Sequence, residues 1–230
     1  MSTELKYRIL WLVIFSIAMG FLEAAVVIYL RELYYPGGFS FPLSVMDERI
    51  GVVELLREAA TIVMLAGVGI ITGRSPNQRF AFFILAFAIW DIFYYIFLKA
   101  MISWPESLLT WDILFLIPVP WIGPVLAPCI ISITMLFLAA VLIYKDLQHT
   151  KIRLSLFDWT SLVAGSFVVI ASWTMDFLSY NRSMGNTTRD TMNAIASFVP
   201  TTYNWYLFSL GEAILLVAIF LYGKRAPHKE

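Results

Sequence analysis

Six carboxylates lie inside or beside long apolar runs of this chain: Glu23, Glu54 with Glu58, Asp91, Asp176 and Glu212. An ionisable group in hydrocarbon is costly, so it faces a bundle interior, a partner or water. Carboxylates in that setting bind cations, carry protons or hold an oxygen-preferring metal. A partly buried one also suits general acid or base work near neutral pH. The second run opens with Glu54-Leu-Leu-Arg57-Glu58. Glu54 lies three residues before Arg57 and four before Glu58, so all three share one side of a helix. Arg57 is then an internal counter-ion for one carboxylate, and the other is left for a second partner. Plainer readings stand beside these. Glu54 fits a solvated helix start capped by Ser44, with Asp47 three residues on. Glu23 and Asp176 fit interfacial acids reaching headgroup water. Asp91 fits a structural pair with Arg57.

Other chemistry is sparse. The two histidines, His149 and His228, fall in segments expected on the cytoplasmic side. That argues against paired-histidine haem and His-rich zinc or copper sites within the bundle. Cys129 is the single cysteine, lies in an apolar run and reads as a small buried hydrophobe. No P-loop, GxSxG or HExxH pattern occurs. Carboxylate, Arg, Tyr and Trp chemistry remains, and oxygen-only ligands suit Mg²⁺, Ca²⁺ or Mn²⁺. A net charge of zero gives no nucleic-acid signal. Asn181-Arg-Ser and Asn186-Thr-Thr match the glycosylation pattern, which has no meaning in a bacterial inner membrane.

The elements that must position these acids are transmembrane helices. The chain is 60% hydrophobic and only 14% charged, against about 25% charged in an average soluble domain. A span needs about 20 mostly apolar residues. The runs at 7–30, 52–71, 80–98, 125–144, 156–178 and 202–222 qualify. The first continues past a signal-peptide core and reads as an uncleaved helix. Basic residues set the orientation. Lys6, Arg8, Arg74, Arg79, Lys145, Lys151, Arg153, Lys224, Arg225 and Lys229 fall on one side, ten of the sixteen. Both termini are therefore expected in the cytoplasm, in a plasma membrane of the bacterial inner type. The acids then form one layer, from the outer interface to the midplane. Ser16, Gly20 and Glu23 recur with helical period in the first run. Ser161, Gly165, Ser172, Asp176 and Ser179 do so in the fifth, and Thr202, Trp205, Ser209 and Glu212 in the sixth. Small and polar stripes mark helix–helix contacts in membranes.

Between the third and fourth runs lies a Trp- and Pro-rich outer segment, Trp104 to Pro128. Pro118, Pro120, Pro124 and Pro128 prevent a regular helix through its middle. The expectation is a short interfacial or re-entrant helix over about 106–117, followed by a proline-kinked start to the fourth span. Such a helix acts as a lid carrying Asp112 towards the acidic layer, or as an aromatic belt of Trp104, Trp111 and Trp121. Trp90-Asp91-Ile92 echoes Trp111-Asp112-Ile113, each placing an indole donor beside a carboxylate.

The expected fold is an all-α bundle of six transmembrane helices, one integral membrane domain over 1–230, with the extra outer helix. The leading functional expectation is an outward-facing, carboxylate-lined site built from Glu23, Glu54, Arg57, Glu58, Asp91, Asp112, Asp176 and Glu212. It would take a cation, a cationic solute or a metal-assisted lipid-like substrate. The alternative is a non-catalytic transmembrane subunit of a larger complex. The bilayer is the expected partner, with other membrane subunits or further copies of the chain beside it.

Overall fold

A computed structural model describes residues 2–148, 154–185 and 188–225. His149, His228 and the second glycosylation pattern, which begins at Asn186, lie outside the described residues. Among the described residues, seven helices and one hairpin follow in chain order: α1 (Thr3–Tyr34), α2 (Glu48–Thr72), α3 (Pro76–Ile102), β1 (Trp111–Phe115), β2 (Trp121–Pro124), α4 (Leu126–Leu147), α5 (Leu156–Met184), α6 (Thr188–Ser197) and α7 (Trp205–Lys224). All except α6 are long and apolar enough to cross a membrane, so the chain is a multi-pass membrane protein with a six-helix bundle.

Local capping fixes where the helices begin. Ser2 accepts from the Leu5 amide, Asn204 from Leu207, and Ser75 from Gln78 just ahead of Pro76. Ser155 and Asp158 form a reciprocal capping box at the start of α5. The helix around Glu54 begins at Glu48 and is capped by Asp47, not Ser44. Ser44 is occupied elsewhere: its hydroxyl donates to the Tyr34 carbonyl at 2.9 Å.

α3 is central and packs against α1, α2 and α4, while α5 pairs with α7 and α4 joins the two groups. Small residues permit the closest crossings. A Cβ on Gly20 would sit 2.9 Å from the Trp90 carbonyl oxygen. Gly165 and Gly211 face each other where α5 crosses α7, and a Cβ on Gly211 would lie 2.9 Å from the Gly165 carbonyl oxygen. The first stripe is accordingly turned into the protein, with Ser16 and Gly20 buried. The fifth is buried through Gly165 and Ser172, then emerges at Asp176 and Ser179. The sixth differs from expectation. Thr202 and Ser209 are exposed, and the buried face of α7 runs through Phe208, Gly211, Leu215 and Tyr222. The Gly165–Gly211 crossing sets that rotation and leaves Glu212 on its flank.

The segment between α3 and α4 corrects the expected helix over 106–117. β1 pairs antiparallel with β2, Asp112 opposite Gly123, with a register irregularity between Ile113 and Phe115. The Val125 amide extends the pairing to the Thr110 carbonyl at 3.0 Å. A short apolar run fits helix or strand by periodicity alone. Trp, Ile and Phe favour the strand, and Pro118 and Pro120 occupy the connection. β2 rests on α5, where a Cβ on Gly123 would lie 2.9 Å from Trp173 Cδ1. Backbone at this depth is tolerated when protein covers it. α6 is a second departure, a helix in a segment with no apolar run.

The opposite end of the bundle is tied by polar contacts. Arg225 clamps Asp158 through both nitrogens, at 2.5 and 2.7 Å. Asp146 accepts from Ser75 at 2.8 Å and from Gln78 at 2.5 Å. Glu4 pairs with Arg74.

Candidate functional site

The acids do not form one continuous layer. They separate into four settings, three of them adjoining at the hairpin end.

The first setting spans α1 and α2. Arg57 donates from Nη1 to Glu23 and from Nε to Glu54 at 2.8 Å. Thr61 donates to Glu23 at 3.5 Å and to the Arg57 carbonyl at 3.0 Å. One helical turn separates Glu54 from Glu58, so both point the same way as Arg57. Among the described residues, Glu58 makes no direct pair with a cation. Its Oε2 accepts the Leu116 backbone N–H, just past β1, at 2.9 Å. Glu54 and Glu58 are 5% and 7% exposed, which removes the solvated-helix-start reading. Fully ionised, this setting holds three carboxylates and one guanidinium, which contacts two of them.

The second setting is an aromatic-walled pair. Asp112 accepts from Arg31 Nη2 at 3.2 Å and from the Tyr95 hydroxyl at 3.1 Å. The Arg31 guanidinium carbon lies 3.6 Å from the Trp104 ring centroid and 4.5 Å from that of Phe39. Asp112 is therefore turned into the protein, carried by a strand and not by the expected helix. Burial pushes its carboxyl up to about 6, against the opposing effects of Arg31 and the Tyr95 hydroxyl. Tyr94 lies within electrostatic reach of Glu23, Arg57, Arg31 and Asp112, so the first two settings adjoin.

Asp91 makes the third setting. It accepts from Ser132 on α4 at 2.8 Å and is not paired with Arg57. Asp112 is within its electrostatic reach. The Trp90 indole N–H is buried with no hydrogen-bond partner, so it does not donate to Asp91. Glu212 makes the fourth. Thr134 on α4 donates to one of its oxygens, and the other is buried without a partner. At 1.5 Å per residue, Glu212 lies roughly 10 Å in from the start of α7. Asp176 is exposed and joins none of these groups.

The structure thus brings together Glu23, Glu54, Arg57 and Glu58, sets Asp112 near them and Asp91 near Asp112, and separates Glu212 and Asp176. Arg31, Tyr95 and the Leu116 amide are participants that the sequence reading missed. Arg31 had a signal, a lone basic residue at the end of an apolar run ahead of the aromatic stretch Tyr34 to Phe41. The Leu116 amide had none. Among the described residues, no three His, Cys, Asp or Glu side chains are grouped to hold a metal ion. The chain matches no family model, no curated protein and no solved structure.

Proposed function

We propose that this multi-pass protein presents an intramembrane carboxylate site at its hairpin end, facing out of a bacterial inner membrane, and that the site binds a cation or a cationic solute. Glu23, Glu54 and Glu58 supply the negative charge, Arg57 is the internal counter-charge, and the hairpin covers Glu58. One observation carries this reading: Arg57 pairs with Glu23 and Glu54, and a third carboxylate, the buried Glu58 one turn on, is met by only a backbone amide. Removing a charge from water without a partner is costly, so the surplus calls for a positive ligand or for protons. The distribution of Lys and Arg supports cytoplasmic termini and hence an outward hairpin.

Thermal unfolding of the purified protein tests this, with Na⁺, Ca²⁺, guanidinium and spermidine compared against N-methylglucamine at matched ionic strength. At least one cation is expected to raise the midpoint saturably in the wild type and not in Glu58→Gln. No saturable rise with any of the four would favour the subunit reading, in which Arg57 merely ties α1 to α2.

A further inference from the structure

The end of the bundle opposite the hairpin carries a second feature that the acidic site does not use. α1 and α2 both pack on α3 but touch each other only sparingly. At the hairpin end Arg57 bridges them to Glu23. Towards the other end they diverge around a groove of about 360 Å³. Its walls are apolar, with Trp11, Leu12 and Phe15 from α1 and Val68 and Ile71 from α2. Trp11 is 64% exposed and Ile71 86%, so the groove opens sideways, where acyl chains lie.

The groove ends at Glu4, Tyr7 and Arg8, and among the described residues Arg8 has no carboxylate partner. Arg8 lines it, donates through Nη1 to the Thr72 carbonyl at 2.7 Å and to Gln78 at 3.4 Å, and has a buried Nε with no partner. Glu4, one turn earlier, is engaged by Arg74 instead. Arg8 is five residues from the start of α1, roughly 8 Å along the helix, near one end of a span. An apolar slot leading to a guanidinium without a carboxylate partner near the end of a span matches a phospholipid, with the chain in the slot and the phosphate on the guanidinium.

We infer that the α1–α2 groove is a binding site for one anionic phospholipid, with its phosphate on Arg8 and an acyl chain against Trp11 and Phe15. The site is separate from the carboxylate cluster and does not depend on which way the bundle faces.

Fluorescence quenching tests the site in bilayer nanodiscs containing brominated phosphatidylglycerol or brominated phosphatidylcholine at equal mole fraction. The Trp11 signal is the wild type minus Trp11→Phe. Phosphatidylglycerol is expected to quench it with about fivefold preference, equivalent to ~1 kcal/mol for one basic side chain at an anionic surface. Arg8→Gln should abolish that preference, and Lys6→Gln should keep it. Equal quenching by the two lipids overturns the site. So does an equal loss in Lys6→Gln, which would mean general surface attraction, or reversal by millimolar inorganic phosphate, which would mean a free-anion site. Should Arg8→Gln fail to fold, native mass spectrometry of wild-type protein from mixed membranes decides. Preferential retention of one phosphatidylglycerol supports the site, and equal retention of both lipids overturns it.

Discussion

Arg57 engages two carboxylates and leaves Glu58 to a backbone amide. Asp112 has the opposite arrangement, one carboxylate with one guanidinium and a phenol. Its burial outweighs both partners and lifts its carboxyl from an ordinary value of 3.8 to about 6. Between those values the folded protein binds more protons than the unfolded chain. The corresponding stability is full below about pH 4 and lost as pH rises to about 6, at most ~3 kcal/mol. Thermal unfolding midpoints should therefore fall over that window in the wild type relative to Asp112→Asn. Parallel profiles for the two proteins would refute that sign. The acids themselves were legible in the sequence because charge in an apolar run stands out. Most of their partners were not. Arg31 meets Asp112 across 81 positions and the Leu116 amide meets Glu58 across 58. Only the fold brings such pairs together.

Helices were the most legible elements. Each observed span contains or nearly matches the apolar run that announced it, because a length of about 20 apolar residues is a direct physical requirement. Where the helices run longer, polar caps such as Ser2, Asp47 and Ser75 set the ends. The hairpin was not legible, since five apolar residues before a proline fit strand or helix equally. Helix rotation was legible where small residues were dense, as at Ser16 and Gly20. It was misread in α7, where Gly211 rather than Ser209 meets α5. That crossing yields a prediction. A side chain at Gly211 would collide with the Val169 amide nitrogen at 2.8 Å and the Gly165 carbonyl oxygen at 2.9 Å, neither of which can swing away. Gly211→Leu should destabilise the protein by about 1–3 kcal/mol. Gly67→Leu has no atom within 4 Å of its Cβ and should stay within about 0.5 kcal/mol of wild type. Thermal unfolding in detergent compares them, and equal behaviour of the two variants would contradict the crossing.

At the scale of the whole molecule, charge is sorted by end. Opposite the hairpin, Asp158 with Arg225 and Glu4 with Arg74 tie helix ends together, and Arg8 is left as a spare cation. At the hairpin end the surplus is negative, centred on Arg57. Covered by a hairpin that contacts it through one amide, that surplus is the reason to read a ligand site there. Equilibrium dialysis measures it most directly, using the cation that raises the thermal midpoint, with wild type, Glu58→Gln and Glu54→Gln side by side. One saturable equivalent is expected to bind the wild type and to be lost in both variants. Unchanged binding in the variants, or none in the wild type, would contradict it.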